Sequence, residues 1–149
     1  MFKNYVSKAV DILLIEDNPG DVRLTKEALR EAKILNNLFV ANDGVKAMEF
    51  LHKEGAFANI PLPDLILLDL NLPRKDGREV LSEIKNDPKL KHIPVVILTS
   101  SKSEEDILKS YNLHANCYIT KPDDLNGFVE IMQSLDKFWF TIMKLPPKE

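Results

Sequence analysis

Short apolar runs alternate with amphipathic segments along most of the chain, and each run suits a strand that is buried on both faces. None approaches the length that a membrane-spanning helix requires. The five runs are Ile12–Ile15, Leu38–Ala41, Leu65–Leu68, Val95–Leu98 and Cys117–Ile119. Strands that alternate with helices in this way predict an α/β fold, a doubly wound parallel sheet with right-handed crossover helices on both faces.

Helix-start and helix-stop signals stand between these runs. Asn18 followed by Pro19 is typical of a helix N-terminus, and Asp21 is favourable in the first turn. Gly77 is predicted to open the third helix, which ends at Asp87 because a proline follows.

The fourth helix is predicted to begin at Ser103, with Asp106 three residues later in a capping-box pattern. Helical spacing of apolar residues predicts its buried side. That side is predicted to consist of Ile107, Leu108 and Tyr111.

Composition adds limits to this picture. With 149 residues, 44% hydrophobic and 29% charged, the chain is expected to be one domain over residues 1–149, with a core from about 10 to 143. A net charge of -3 without a basic block argues against nucleic-acid binding. Met1–Val10 lacks the apolar part of a secretion signal. The single cysteine, Cys117, is predicted to be a buried strand residue and fits a reducing cytoplasm.

Chemically active side chains follow four of the five strands. They are Glu16, Asp17, Asp69, Thr99 and Lys121. Because the carboxyl ends of parallel strands lie at one edge of a sheet, we expect these side chains to converge. Each could separately be a turn former or a solvated charge. Together, carboxylates about 5 Å apart repel by roughly 3 kcal/mol per pair, so the cluster requires a divalent cation, the lysine, or both.

The chemistry of these groups favours phosphoryl transfer. An all-oxygen site with room for water suits Mg²⁺ better than Zn²⁺. A carboxylate beside Mg²⁺ can attack phosphorus and form an acyl phosphate, and Asp69 is the candidate. Lys121 and Thr99 would stabilise the charge on the equatorial oxygens.

Four motifs make nearly the whole chain resemble the receiver domain of two-component response regulators. They are ILLIEDN at 12–18, LILLDLNLPRKDG at 65–77, VVILTS at 95–100 and YITKP at 118–122. The resemblance implies a flavodoxin-like sheet of order 2-1-3-4-5. It also implies a cytoplasmic phosphoprotein that accepts a phosphoryl group from a histidine kinase and catalyses only its own phosphorylation and dephosphorylation.

The resemblance implies a role for each acid. Asp69 corresponds to the phosphoacceptor and Asp17 to a direct Mg²⁺ ligand. Glu16 would hold metal-bound water, and Asn71 would contribute its backbone carbonyl to the metal.

The resemblance also implies a switch. Thr99 matches the switch hydroxyl, Lys121 the phosphate-contacting lysine, and Tyr118 the aromatic that turns inward when the phosphoryl group attracts Thr99. Tyr118 could instead be an ordinary half-buried strand residue. The family loop often has methionine where Leu72 stands, and alanine or glycine where Ser100 follows the switch threonine, which leaves the phosphoryl lifetime open.

Within receivers, the chain is most similar to the single-domain regulators paired with phytochrome-type histidine kinases. The segment 51–63, the run DLNLPRKDGREVL at 69–81 and the aromatic tail FWFTIMKLP at 138–146 carry this similarity. The short stretch after Pro122 leads us to expect no separate output domain, so output would pass through surface contacts.

The last helix is predicted to run from about Asp124 to Met143. Its inward seam is predicted to be Leu125, Phe128, Met132, Leu135, Trp139 and Ile142. Ile131, Phe138 and Phe140 add apolar surface beyond one seam. Receivers commonly pair through the fourth helix, fifth strand and last helix, so we expect a possible homodimer there. The alternative is that these aromatics only cover the edge of their own sheet.

Three other functions were compatible with parts of the pattern. A haloacid-dehalogenase-type phosphohydrolase also uses an aspartate nucleophile, but it needs an acid where Asn71 stands. A flavodoxin-like carrier of flavin mononucleotide needs a phosphate loop after the first strand, where Glu16 and Asp17 would repel phosphate. The third is a receiver-like binding module that is not phosphorylated.

Overall fold

A computed structural model describes residues 9–137, which form a five-stranded parallel sheet. The strand order is β2-β1-β3-β4-β5, as the family resemblance implied. The strands are β1 (Val10–Ile15), β2 (Asn36–Ala41), β3 (Leu65–Leu68), β4 (Val95–Thr99) and β5 (Cys117–Thr120).

Helices connect the strands. They are α1 (Pro19–Glu31), α2 (Gly44–Leu51), α3 (Gly77–Asn86), α4 (Glu104–Asn112) and α5 (Leu125–Leu135), with a 3₁₀ turn at Gly55–Phe57. Within residues 9–137, no helix is both long enough and apolar enough to cross a bilayer.

The side chains expected to cap the helices do so. Asn18 Oδ1 accepts hydrogen bonds from the backbone N–H of Gly20 at 2.9 Å and of Asp21 at 3.2 Å, with Pro19 at the first helical position. Satisfying these N–H groups, which have no partner within the helix, fixes the start of α1 directly after β1.

Two apolar cores lie on the two faces of the sheet, because alternate residues of each strand point to opposite faces. Leu13 and Ile15 belong to the core under α2 and α3, whereas Ile12 and Leu14 belong to the core under α1 and α5. All four residues of β3 are buried, as expected for a central strand. Among the described residues, neither buried core includes a residue of α4.

The predicted buried side of α4 is wrong. Leu108 is 65% exposed and Tyr111 is 46% exposed, while Ile107 is only half-buried. The buried residue of this helix is Ser110. The spacing of apolar residues can locate an apolar stripe on a helix. It does not show whether that stripe faces the sheet or the solvent when the helix buries few side chains.

The predicted capping box of α4 forms only in part. Ser103 Oγ accepts the backbone N–H of Asp106 at 3.3 Å. The Asp106 carboxylate does not complete the box, because it binds Arg78 and Ser101 instead.

Two further expectations changed at the edge of the sheet. Cys117 is half-buried rather than buried, because β5 is an edge strand and all four of its residues are half-buried. Helix α5 ends at Leu135 and buries Phe128, Met132 and Leu135 as predicted. The predicted continuation with Trp139 and Ile142, and the aromatics Phe138 and Phe140, lie outside the described residues.

Candidate metal and phosphoryl site

Four of the five side chains predicted to converge line one cleft of about 550 Å³ at the carboxyl end of the sheet, and the fifth, Thr99, is buried and donates to Asp69. This cleft is at the point where the strand order reverses between β1 and β3, the usual ligand position in open α/β sheets. We call it the acidic cleft. It is lined by Glu16, Asp17, Asn18, Pro19, Asp21, Asp69, Asn71, Ser100 and Lys121.

Strand register explains why two of the acids meet. Ile15 of β1 pairs with Leu68 of β3, so the next residues, Glu16 and Asp69, leave adjacent strands at the same level. The backbone N–H of Asp69 donates to the carbonyl of Ile15 at 3.0 Å, which keeps the two strand ends together.

Close backbone packing holds the loop that follows Asp69. A Cβ atom on Gly77 would lie 2.3 Å from the carbonyl oxygen of Asp69, and one on Gly44 would lie 2.0 Å from that of Lys75. Only glycine permits these approaches, so the starts of α2 and α3 press directly on the loop.

Asp69 is buried, and its carboxylate accepts hydrogen bonds from three donors. Its Oδ1 accepts the Thr99 hydroxyl at 2.7 Å and the backbone N–H of Asn71 at 3.2 Å. Its Oδ2 accepts the Lys121 ammonium at 2.9 Å. The side chain is therefore held in one orientation by three donors.

Lys121 contacts three carboxylates. Its Nζ lies 2.8 Å from Glu16, 2.8 Å from Asp21 and 2.9 Å from Asp69, which matches the three N–H groups of an ammonium. Burial alone would lower the pKa of Lys121, but hydrogen bonds to these three carboxylates outweigh it and raise the pKa above its ordinary value.

Asp21 is a cleft residue that our reading of the sequence missed. We interpreted it only as a favourable charge in the first turn of α1. Its spacing of four residues from Asp17, on the first turn of the helix that leaves the cleft, is the signal that could have placed it there.

The buried carboxyl of Glu16 has a raised pKa. Burial raises the pKa of Glu16 to about 7, with the charge of Asp69 adding to the rise and the hydrogen bond from Lys121 opposing it. Its second oxygen accepts the backbone N–H of Asn18 at 3.1 Å.

The acids fit a hard divalent cation. Glu16, Asp17 and Asp69 each offer an oxygen, and these oxygens lie within 4.8 Å of one another. Asp17 is exposed, so water could complete the coordination, as Mg²⁺ prefers. Asn71 is exposed and lines the same cleft.

Tyr118 lies away from the acidic cleft but is joined to it by the loop after β4. Its hydroxyl donates to the carbonyl oxygen of Ser101 at 3.0 Å, and its ring packs against the core under α2 and α3. Thr99, two residues before Ser101, is fully buried and donates to Asp69. In this structure Thr99 is therefore bound to Asp69 while Tyr118 is bound to Ser101, so the start of the loop after β4 has a partner on each side.

Comparison with known proteins agrees with this architecture. The response regulator receiver domain matches residues 12–133. The response regulator Rcp1 of Synechocystis sp. is 50% identical over 135 residues, which are 91% of this chain and 92% of Rcp1.

Solved structures give the same result. The phosphorylated cyanobacterial phytochrome response regulator RcpA is 50% identical with a TM-score of 0.88, over 94% of this chain and 100% of RcpA. The Mn²⁺-bound form of Rcp1 is 49% identical with a TM-score of 0.85, over 93% of this chain and 99% of that one. The chain belongs to the response regulator receiver domain family.

Proposed function

We propose that this chain receives a phosphoryl group on Asp69 from a histidine kinase, in an Mg²⁺-dependent reaction, and that phosphorylation changes its interaction surface through Thr99 and Tyr118. The observation that carries the proposal is the environment of Asp69. One buried carboxylate contacts a hydroxyl and an ammonium, and it lies within 4.8 Å of two further acids.

The contacts of Asp69 support it over the other acids as the proposed phosphoacceptor. Asp17 is exposed, and Glu16 shares Lys121, whereas the Thr99 hydroxyl donates to Asp69. Only at Asp69 do a hydroxyl and an ammonium lie within 3 Å of the same carboxylate among the described residues. Such preorganised donors are the main contribution a protein makes to phosphoryl transfer.

The proposed step is a simple exchange of bonds. A carboxylate oxygen of Asp69 attacks phosphorus, the P–N bond to the kinase histidine breaks, and the imidazole leaves with the bonding electron pair and is then protonated. Lys121 and Thr99 would contact the phosphoryl oxygens. Mg²⁺ held by Glu16, Asp17 and Asp69, with the backbone carbonyl of Asn71, would offset the remaining negative charge.

The named relatives support a narrower proposal about the partner. RcpA is a phytochrome response regulator, and half of the aligned residues are identical. We therefore propose a phytochrome-type histidine kinase as the phosphodonor. We further propose that the receiver acts in the cytoplasm, through contacts on its own surface.

Exposed apolar residues on α4 support the proposed homodimer. Leu108 and Tyr111 leave an uncovered apolar stripe beside β5. Sedimentation with and without beryllofluoride tests it. A chain that stays monomeric at tens of micromolar under both conditions contradicts the dimer.

Labelling with acetyl phosphate tests the proposed phosphorylation. Asp69→Asn should abolish incorporation of the phosphoryl group while the circular dichroism spectrum stays unchanged. Asp123→Asn is the matched control, because it removes an exposed carboxylate two residues after Lys121 and should label normally. Persistent labelling of Asp69→Asn would assign the phosphoryl group to another residue.

A further inference from the structure

An ion pair outside the acidic cleft connects the starts of α3 and α4. Arg78 Nε donates to Asp106 Oδ1 at 2.9 Å, and a second guanidinium nitrogen donates to Asp106 Oδ2 at 2.7 Å. This two-point geometry is the strong form of an arginine–carboxylate contact. The side chains of Arg78 and Asp106 are 23% and 17% exposed, so the pair is partly shielded from solvent.

The same carboxylate holds the loop after β4. Ser101 Oγ donates to Asp106 Oδ2 at 2.6 Å. Hydrogen bonds from Arg78 and Ser101 keep the pKa of Asp106 below its ordinary value, so the carboxylate is an acceptor throughout the physiological range.

Ser101 is therefore held from two sides. Its side chain is bound to Asp106, and its carbonyl accepts the Tyr118 hydroxyl at 3.0 Å. A displacement of Ser101 large enough to break one of these bonds would disturb the other, because both attach to one residue. Thr99, which donates to Asp69, is two residues earlier in the same chain segment.

Little else fixes the start of α4. The buried residue of this helix is the small Ser110, whereas Leu108 and Tyr111 are exposed. Polar contacts rather than deep apolar burial hold this helix: those at its first turn, and the Tyr111 hydroxyl, which accepts the backbone N–H of Tyr118 at 3.2 Å.

We propose that the Arg78–Asp106 pair is a latch that stabilises the arrangement in which Tyr118 is bound to Ser101 and Thr99 is bound to Asp69. This inference rests on the proposed switch and names the residues that position it. Arg78 and Asp106 are positioning residues, because they do not line the acidic cleft and the pair acts on the loop after β4 through Ser101. Arg78 also forms an ion pair with Asp76 at 3.0 Å and donates to the carbonyl of Leu70 at 3.5 Å, so Asp106→Asn is the variant that leaves those contacts in place.

The family resemblance implies that Tyr118 turns inward when a phosphoryl group is bound, and here its ring packs against a core while its hydroxyl is bound to Ser101. An acyl-phosphate mimic should therefore favour this arrangement, and opening the latch should weaken binding of the mimic.

Three variants test the latch. Arg78→Gln and Asp106→Asn each remove one partner, and the double variant removes both. Lys75→Gln is the matched control, because Lys75 also forms an ion pair, with Glu83 of α3 at 2.7 Å, and its loss changes the net charge as Arg78→Gln does.

Two measurements report on the switch. Fluorotyrosine incorporation with ¹⁹F NMR follows the environment of Tyr118, whose resonance is assigned with Tyr118→Phe. Titration with beryllofluoride in excess Mg²⁺ gives the affinity for the mimic. Titration with Mg²⁺ alone shows whether the carboxylates of the acidic cleft still bind the metal normally.

We expect Arg78→Gln and Asp106→Asn to shift the Tyr118 resonance in the same direction and to weaken beryllofluoride binding about fivefold or more. Mg²⁺ affinity should stay within twofold of wild type. The double variant should bind beryllofluoride about as weakly as the weaker-binding single variant, because each substitution opens the same Arg78–Asp106 ion pair. Arg78→Lys keeps the charge but not the two-point geometry, and it should fall between wild type and Arg78→Gln.

An unchanged Tyr118 resonance with unchanged beryllofluoride affinity would overturn the latch. So would a loss of Mg²⁺ affinity equal to the loss of beryllofluoride affinity, or an equal effect of Lys75→Gln, because each indicates a general structural or charge effect. Failure of the proposed function is seen separately, as an absence of acetyl phosphate labelling in the wild-type chain, whereas the Tyr118 resonance of the latch variants is read without phosphorylation.

Discussion

Strand β3 leads to Asp69 and helix α4 leads to the strand that carries Tyr118, but different interactions hold these two elements in place. All four residues of β3 are buried in the two apolar cores, and Gly77 at the start of α3 packs against the backbone of Asp69, which follows the strand. Helix α4 exposes Leu108 and Tyr111 and is fixed by a capping serine and the Arg78–Asp106 pair. Segments with little apolar burial open at low free-energy cost, so we expect the segment that carries Asp69 to be rigid and α4 to open more readily.

The largest effect is expected from truncating a leucine of β3, and the smallest from the same truncation in α4. Leu67→Ala in β3 should lower the free energy of unfolding by about 3 kcal/mol, because its side chain is fully buried and a cavity would remain. Urea denaturation followed by circular dichroism measures the change. A loss below about 1 kcal/mol would show that β3 is less tightly packed than its burial implies.

The second test concerns the buried carboxylate of the cleft. Because the pKa of Glu16 is raised to about 7, lowering the pH through that value protonates Glu16 and removes negative charge from the metal site. Mg²⁺ affinity should therefore be about tenfold lower at pH 6 than at pH 8. Titration of Mg²⁺ at constant ionic strength measures it.

Glu16→Gln is the control for that pH dependence. It carries no titrating carboxyl, so its weaker Mg²⁺ affinity should vary little between pH 6 and pH 8. A wild-type affinity that is flat over this range would show that Glu16 stays ionised in the cleft.

The third test loosens α4 at its cap. Ser103→Ala removes the acceptor for the backbone N–H of Asp106 and should destabilise the helix by about 1 kcal/mol. Amide hydrogen exchange should become about fivefold faster in α4 and stay unchanged in β3.

The N-cap of α5 provides the comparison for the N-cap of α4. Asp124 caps α5 by accepting the N–H of Gly127 at 2.9 Å, but Phe128 and Met132 also anchor that helix in a core. Asp124→Ala should therefore affect local exchange in α5 less than Ser103→Ala affects α4. Equal effects would remove the distinction between the two helices.

The smallest effect is expected at the exposed leucine. Leu108→Ala should change the free energy of unfolding by no more than about 0.5 kcal/mol, because the side chain is already largely in water. The same urea experiment measures it at a concentration where the chain is monomeric. A loss close to that of Leu67→Ala would show that α4 is packed in solution.

Much of this molecule follows from patterns that are local in the chain. The apolar runs predicted five strands, and Asn18 with Pro19 predicted the start of α1. The acids, hydroxyl and lysine at strand ends were predicted to converge because parallel strands end at one edge, and the structure brings Glu16, Asp17 and Asp69 within 4.8 Å. The order of the strands came from the family resemblance rather than from periodicity.

Local sequence patterns did not predict the contacts between residues that are distant in the sequence. Lys121 meets Asp21 across 100 positions, and Arg78 meets Asp106 across 28, so neither pairing leaves a local signal. The orientation of α4 was also decided by tertiary structure, because an apolar stripe on a helix of nine residues is compatible with more than one facing. The sequence by itself determined which groups gather at the sheet edge, since strand ends and alternation are local properties. Only the folded chain decided which charges pair and which helix stays loosely held, since both depend on how separate elements pack.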